Sequence, residues 1–144
     1  LKRIRRLDRK ICRANLNNAR LLRLEAFYSL EYLLPPKSVD TFHIYFPDPW
    51  PKRRHHQRRL FSEAFLDLLF NCLKSDGTVQ IATDHADYFE NIKRVTLTDT
   101  RFCETPHRIR HENEYTDFEL IFRKQGLPIY ECALRLSGKN QVPS

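Results

Sequence analysis

The chain has 144 residues, a length typical of one domain. It contains 25 Lys and Arg residues against 18 Asp and Glu residues, which gives a formal net charge of +7. Hydrophobic residues make up 41% of the chain, including 10 Phe and 6 Tyr, so the sequence can form a core and is not that of a disordered protein. No apolar run approaches the roughly 20 residues of a membrane-spanning helix. We therefore expect a basic, soluble protein without a membrane partner.

Glycine and methionine are unusually rare. The three glycines are far apart, so the chain contains no G-x-G nucleotide loop. There is no Met, and the chain begins at Leu1, already in phase with a helical pattern. We therefore expect a chain that starts just inside a helix and lacks an upstream part of its domain.

The first part of the chain combines helical spacing with one short apolar run. Apolar residues recur every three or four positions over residues 1–15 and predict a helix whose other faces are basic. Two asparagines at 17–18 predict a turn. The run 19–24 predicts a buried strand, and 26–34 predicts a short helix that ends at Pro35.

The middle of the chain alternates strands with helices. Residues 39–46 are rich in β-branched and aromatic side chains and predict a strand that a proline ends. Two apolar columns with i, i+4 spacing predict a helix over 58–74, which the Ser-Asp-Gly sequence at 75–77 closes. A strand over 78–83 and a helix over 86–95 follow.

The last third has strand-like alternation. After a polar stretch over 96–115, apolar and polar residues alternate over 118–122 and again over 129–135, with Gly126 and Pro128 between the two runs. This pattern predicts an antiparallel hairpin. Strands that alternate with helices predict an α/β fold with a parallel sheet, to which the hairpin adds an antiparallel edge.

Neither the cysteines nor the histidines form a ligand cluster. The four cysteines, which include no C-x-x-C pair, are Cys12, Cys72, Cys103 and Cys132. Their spacing predicts reduced, mostly buried thiols in a cytoplasmic protein, with two disulfides as the alternative. His55 and His56 are adjacent, and no second cluster supplies ligands at a usual spacing, so we expect no metal site.

Two acidic residues directly follow predicted strands. Asp48 comes after the strand over 39–46, and Asp84 comes after the strand over 78–83. Ligands of open α/β sheets bind at the carboxyl ends of the parallel strands, so both carboxylates are candidates for a functional site. Each aspartate could instead be a helix N-cap or a turn residue.

The segment 46–59, with the sequence FPDPWPKRRHHQRR, combines three prolines and the single Trp with a cluster of cations. Fourteen of the 25 Lys and Arg residues lie in 1–23 and 52–59. Cations interleaved with an aromatic residue are typical of phosphate neutralisation and base stacking in nucleic-acid binding. The alternative is a solvated charge run before a helix. The expected counterpart is an RNA or DNA backbone, and the side chains that we expect to contact it are Lys52, Arg53, Arg54, His55, Arg58 and Arg59. Trp50 could stack on a base or brace the loop, and the flanking prolines favour bracing.

Three segments resemble one known family. The first is FPDPWPKRRHHQRRL at 46–60, the second is ATDHADYFE at 82–90, and the third is TDFE followed by F-x-x-x-G-x-P-I-Y at 116–130. In order and spacing, they are similar to motifs of the tRNA (guanine-N7)-methyltransferase family, the TrmB-like enzymes. The resemblance implies a Rossmann-like class I methyltransferase fold. Residues 1–144 would then be the C-terminal portion of a single methyltransferase domain that is incomplete at its N-terminus.

The resemblance also implies an activity and a set of site residues. The family uses S-adenosylmethionine to methylate N7 of a guanine in the tRNA variable loop. By motif position, Asp48 is similar to the catalytic and cofactor-proximal aspartate, and Glu25 takes the place of an acidic residue, usually Asp, beside the adenine. The positions that match substrate-binding residues are Lys52, Asp84, Thr116, Phe118 and Glu119. The alternatives are a non-catalytic tRNA-binding module that lacks the cofactor half, or a partner subunit of a heteromeric methyltransferase.

Overall fold

The computed structural model describes residues 2–138, except for the side chain of Arg3. The described elements follow in the order α1 (Lys2–Arg13), α2 (Ala26–Tyr32), β1 (Val39–Tyr45), α3 (Glu63–Cys72), β2 (Leu73–Thr83), α4 (Ala86–Leu97), β3 (Phe102–Thr105), α5 (Asp117–Lys124) and β4 (Tyr130–Leu136). No helix among the described residues is long and apolar enough to cross a membrane.

The four strands form one mixed sheet in the order β1-β2-β4-β3. β1 and β2 are parallel, and their last paired residues are Tyr45 and Ala82. β4 runs antiparallel to both of its neighbours, β2 and β3. The predicted α/β fold, with parallel strands and an antiparallel edge, is therefore confirmed.

The core lies on the face of the sheet that α3 and α4 cover. α3 begins after Ser62, whose hydroxyl oxygen accepts a hydrogen bond from the backbone N–H of Phe65 at 3.3 Å. Fully or almost fully buried side chains from both helices meet those of β2 and β4, namely Phe65, Leu66, Leu69, Tyr88, Ile92, Val79, Ile81, Cys132 and Leu134. The four thiols are free, with Cys72 and Cys132 buried, Cys103 half-buried and Cys12 exposed.

The prediction of a buried strand over 19–24 is wrong. This segment is irregular, and the side chains of Leu22 and Leu24 are 66% and 52% exposed. A strand needs a neighbour to satisfy its backbone hydrogen bonds. Among residues 2–138, β1 is an edge strand with β2 as its one neighbour, so the 19–24 segment has no strand beside it.

The first arm of the predicted hairpin is also wrong. Residues 118–122 belong to α5, because Thr116 caps that helix by accepting a hydrogen bond from the Glu119 N–H at 3.1 Å. The second arm is correct and forms β4. Its antiparallel edge partner is β3, which lies within the polar stretch where we expected no element.

The helix predicted over 58–74 is shorter than expected. Arg53–Arg58 forms a separate 3-10 helix, and α3 ends at Cys72. Residues 75–77 do not close the helix, because they already belong to β2. A Cβ atom on Gly77 would lie 2.7 Å from the Leu73 side chain and 3.0 Å from the Asp40 carbonyl oxygen, so glycine allows close packing at this irregular start of the sheet.

Leu66 and Leu97 provide a matched test of where the core lies. Leu66 is fully buried in α3, whereas Leu97 at the end of α4 is 76% exposed. We expect Leu66→Ala to lower the free energy of unfolding by about 2–5 kcal/mol through lost burial and a residual cavity. Leu97→Ala should change it by less than about 0.5 kcal/mol. Urea unfolding followed by circular dichroism measures both values, and equal effects would contradict this assignment of the core.

Candidate functional site

The carboxyl ends of β1 and β2 lie side by side. After the last paired residues, the Phe46 N–H still donates to the Ala82 carbonyl oxygen at 2.8 Å. Asp48 and Asp84 directly follow, and both are exposed. Within residues 2–138, neither carboxylate takes part in a hydrogen bond or an ion pair, and the N-cap of α4 is His85. The capping alternative therefore does not hold, and both carboxylates are free to meet a ligand.

Two residues that flank Asp48 adopt an unfavourable backbone conformation. Phe46 has φ of 53° and Trp50 has φ of 42°, both in the left-handed region that bulky side chains rarely occupy. Such conformations persist only where the surrounding contacts hold them. The Phe46 ring packs against the Phe122 ring of α5, with 5.6 Å between centroids. The segment 46–59, which we call the Asp48 loop, is thus tied to α5 at its first residue.

Trp50 packs within the Asp48 loop. Its ring is half-buried and makes an edge contact with the His55 ring at 5.7 Å between centroids. The guanidinium of Arg58 lies 5.1 Å from the centre of the Trp50 ring. These contacts are those of a brace that connects the proline-rich half of the loop to its 3-10 helix.

Most cations of the Asp48 loop face solvent. Lys52, Arg53, Arg54 and Arg58 are exposed, and among the described residues none of them contacts an acidic side chain. His55 is half-buried, and its Nε2 atom accepts a hydrogen bond from Arg54 Nε at 3.3 Å. The four exposed cations are therefore available to phosphate groups.

Arg59 differs from its neighbours because its side chain is only 3% exposed. Its Nε atom donates to the Pro49 carbonyl oxygen at 2.9 Å, and its Nη2 atom donates to the Asp87 carboxylate at 2.5 Å. This hydrogen bond lowers the pKa of the Asp87 carboxyl group below its usual value. The expected RNA contact of Arg59 does not agree with this position, because the guanidinium is enclosed by protein.

Helix α4 also holds the two residues that directly follow the Asp48 loop. The Tyr88 hydroxyl oxygen accepts hydrogen bonds from the backbone N–H groups of Leu60 at 3.0 Å and Phe61 at 3.3 Å. Burial raises the pKa of the Tyr88 phenol, although the hydrogen bonds from Phe61 and Leu60 act in the opposite direction. The loop that carries Asp48 and the helix that follows Asp84 are thus in direct contact.

Glu119 lies at the centre of a buried ion network. The Arg110 guanidinium donates to both Glu119 carboxylate oxygens, at 2.5 and 2.9 Å, and Arg123 Nη2 donates to Oε1 at 3.0 Å. Arg110 also donates to Glu131 on β4, and it lies 4.4 Å from the centre of the Tyr45 ring at the end of β1. Because Glu119 is fully buried, its direct role is to fix the start of α5 beside the strand ends.

The remaining predicted site residues occupy different surroundings. Thr116 is half-buried and caps α5, whereas Phe118 projects from the first turn of α5 and is exposed. Glu25 is exposed and caps α2, where its carboxylate accepts a hydrogen bond from the Tyr28 N–H at 2.9 Å. The structure brings Asp48, Asp84 and the start of α5 to one edge of the sheet. Glu25 lies at the start of α2, which packs on α3 through the contact of the Phe27 and Phe65 rings.

Sequence reasoning missed Arg110, Glu131 and Asp87. All three are charged residues in segments that contain other charges, and no spacing in the sequence separates the residues of these ion pairs from the rest. A polar cleft of about 200 Å³ adjoins the network and is lined in part by His107, Arg108 and Tyr115. Among the described residues, no group of three or more His, Cys, Asp or Glu side chains is placed to hold a metal ion.

Glu119→Gln tests the buried network. The substitution leaves the buried Arg110 guanidinium without one compensating charge, although Glu131 still contacts it. We expect the free energy of unfolding to fall by about 3 kcal/mol, the lower end of the range for a broken buried pair. The control is Asp40→Asn, which breaks the exposed Lys74–Asp40 pair and should cause no measurable change. Urea unfolding of both variants gives the comparison, and a neutral Glu119→Gln would show that the network does not stabilise the fold.

Comparison with known proteins identifies relatives of the chain. The model of a family described as "Putative methyltransferase" matches residues 1–132. A tRNA (guanine-N(7)-)-methyltransferase of Nitrosospira multiformis is 37% identical over 123 residues, which are 83% of this chain and 54% of that protein. The protein of the same name from Nitrosococcus oceani is 37% identical over 123 residues, covering 85% and 52% of the two chains. That of Halorhodospira halophila is 45% identical over 92 residues, covering 64% and 40%.

The chain thus spans about half, or less, of the length of these curated relatives. The family match nevertheless extends through every described helix and three of the strands, and into β4. The mixed sheet agrees with a Rossmann-like methyltransferase fold, in which parallel strands present the site at their carboxyl ends. On these grounds the chain belongs to the methyltransferase family that this model describes.

Proposed function

We propose that the chain contributes the Asp48 side of the active site in a tRNA (guanine-N7)-methyltransferase, with S-adenosylmethionine as methyl donor and N7 of a tRNA guanine as acceptor. The observation that supports this most is Asp48, an exposed carboxylate at the carboxyl end of a parallel strand, next to four exposed cations and without an ion-pair partner among residues 2–138. The relatives carry this activity in their names. Residues 1–144 would be part of a single methyltransferase domain.

The exposed carboxylates fit the proposed cofactor. S-adenosylmethionine carries positive charge at its sulfonium and amino groups, and its ribose carries hydroxyl groups, so carboxylates are suitable partners. Asp48 and Glu25 are the exposed acidic residues proposed to contact it, and Glu25 has one carboxylate oxygen outside its hydrogen bond to Tyr28. When bound, S-adenosylmethionine supplies an activated methyl group.

The proposed reaction needs no general base in this chain. Guanine N7 is a hydrogen-bond acceptor with an available lone pair, so it can attack without losing a proton first. The protein then has to align the reacting atoms and stabilise the charge that develops. The purine becomes cationic as N7 is methylated. A full unit charge about 4 Å from the Asp48 carboxylate would interact by about 4 kcal/mol at an effective dielectric constant near 20, and partial charge by less.

The cations provide the proposed RNA surface. Lys52, Arg53, Arg54 and Arg58 would contact tRNA phosphates beside Asp48, and helix α1 adds further exposed cations. Asp84, Thr116 and Phe118 would contact the target nucleotide at the same edge of the sheet. Glu119 would act by holding the start of α5 in place.

The decisive experiment is a methylation assay. Unmodified tRNA is incubated with S-adenosylmethionine and the protein expressed from its complete reading frame, and 7-methylguanosine is measured by mass spectrometry of the digested tRNA. The 144-residue chain is assayed in parallel, and we expect little activity from it. Formation of 7-methylguanosine supports the proposal. Binding of tRNA without any methylation by the complete protein would favour the non-catalytic module.

Asp48→Asn separates catalysis from binding. The variant keeps the shape of the side chain but removes the charge that would stabilise the methylated purine. We expect the turnover number to fall by about 100-fold or more, with tRNA affinity changed by less than about threefold. The matched control is Asp76→Asn, an exposed aspartate near the opposite end of β2, which should have full activity. Equal losses of turnover and affinity would rule out the proposed role.

The salt dependence of tRNA binding tests the cation cluster. Each phosphate contact releases counterions, so replacing Arg53 or Arg54 by Gln should reduce the slope of log Kd against log salt by about one. Arg94→Gln on α4 is the control, because Arg94 is exposed but lies outside the loop. Fluorescence polarisation with labelled tRNA at several salt concentrations gives the slopes. A salt-independent affinity would contradict the proposed phosphate contacts.

A further inference from the structure

Arg58 and Arg59 are adjacent in the sequence, but the structure gives them different surroundings. Arg58 is exposed over the Trp50 ring, whereas Arg59 points into the protein between the Asp48 loop and α4. We propose that Arg59 is a positioning residue that holds Asp48 in place by clamping the Asp48 loop to Asp87. The effect on turnover rests on the proposed function, whereas the effect on the loop does not.

The clamp has three contacts. Arg59 Nε donates to the Pro49 carbonyl oxygen at 2.9 Å, and Arg59 Nη2 donates to Asp87 Oδ2 at 2.5 Å. The guanidinium also lies 5.0 Å from the centre of the Tyr88 ring. A guanidinium can donate in two fixed directions at once, which is what a bridge between a loop carbonyl and a helix carboxylate requires.

The clamp acts on the residue next to Asp48. Pro49 directly follows Asp48, and both lie between the two left-handed residues, Phe46 and Trp50. A backbone with two unfavourable φ angles relaxes unless its surroundings hold it. The pairing of Phe46 with Ala82 fixes one side of Asp48, and the hydrogen bond from Arg59 to Pro49 fixes the other.

The same clamp connects the two sides of the site. Asp87 lies in the first turn of α4, three residues after Asp84. Because Arg59 bonds to Pro49 and Asp87 together, it sets the position of the Asp48 loop relative to the helix that follows Asp84. A displacement of about 1 Å in a reacting group can cost about 100-fold in rate. Arg59 therefore contributes to the reaction through Asp48 and not through a phosphate.

Trp50 provides a readout that needs no enzymatic activity. It is the single Trp of the chain and lies two residues from Asp48, so its fluorescence reports on the loop. Arg59→Lys keeps the positive charge, but its single nitrogen cannot reproduce the fixed donation from two separate atoms, Nε and Nη2. We expect acrylamide quenching of Trp50 to increase at least about twofold as local opening becomes easier, while the far-UV circular dichroism spectrum stays unchanged. Unchanged quenching in a folded variant would overturn the proposal.

Two further variants keep the test valid if Arg59→Lys does not fold. Asp87→Asn removes the charge at the other end of the clamp, and because the Asp87 side chain is 64% exposed, the core should tolerate the change. It should also increase Trp50 quenching. Asp87→Glu retains the carboxylate, so it should keep most of the protection of Trp50 from acrylamide. Protection that is equal in Asp87→Asn and wild type would contradict the clamp.

Arg53→Gln is the matched control in the same loop. Arg53 is exposed at the start of the 3-10 helix, so its loss should leave Trp50 quenching unchanged and lower the salt slope of tRNA binding.

Arg59→Lys should instead increase Trp50 quenching and leave the salt slope of tRNA binding unchanged. In the protein from the complete reading frame it should lower kcat about tenfold or more, with tRNA affinity and the salt slope unchanged. A lowered slope with normal kcat would make Arg59 a phosphate contact. If wild type forms no 7-methylguanosine, the proposed function fails, and the quenching data still decide the role of Arg59.

Discussion

The parallel pairing of β1 with β2 is the constraint on which the site depends. The two strands stay in register up to Tyr45 and Ala82, and the Phe46 N–H extends the pairing by one hydrogen bond. This register places the chain segments that carry Asp48 and Asp84 at the same edge. The strands in turn are held by burial of Val79 and Ile81 against α3 and α4, so the hydrophobic core and the site share one element, β2.

Two buried arginines attach the remaining parts to that edge. Arg59 connects the Asp48 loop to α4, and Arg110 connects the start of α5 to the ends of β1 and β4. Each arginine stacks on a tyrosine, Tyr88 or Tyr45, as well as pairing with a carboxylate. A buried cation is costly unless it is paired, so these contacts specify the arrangement of the segments strongly.

Apolar patterns predicted several of the elements that form the core. The helices over 26–34 and 86–95 and the strand over 39–46 are present within two residues of the predicted bounds, whereas the strand over 78–83 begins five residues earlier, at Leu73. Apolar patterns indicate these elements because they mark the side chains that become buried. The position of Asp48 and Asp84 at one sheet edge followed from the parallel topology alone. The segment 19–24 failed because a strand also needs a neighbour, which apolar residues cannot supply by themselves.

The other errors have local and tertiary causes. Alternation over 118–122 suggested a strand, but the Thr116 cap and the Arg123–Glu119 pair one helical turn apart favour α5. The inward orientation of Arg59 and Arg110 could not be predicted, because the sequence of a cationic segment does not show which side chain pairs with a carboxylate of another segment. That information exists only after Asp87 and Glu119 have been placed by their helices.

The exposed charges of the Asp48 loop are as informative as the buried ones. Within residues 2–138, Asp48 forms no ion pair, although several cations follow it closely in the sequence. Three prolines restrict the backbone from Pro47 to Pro51, and the 3-10 helix that follows holds Arg53 and Arg54 apart from Asp48. The loop therefore keeps a carboxylate and a group of cations side by side without mutual neutralisation. A flexible chain of the same composition would form transient internal pairs, and these would compete with ligands of either charge.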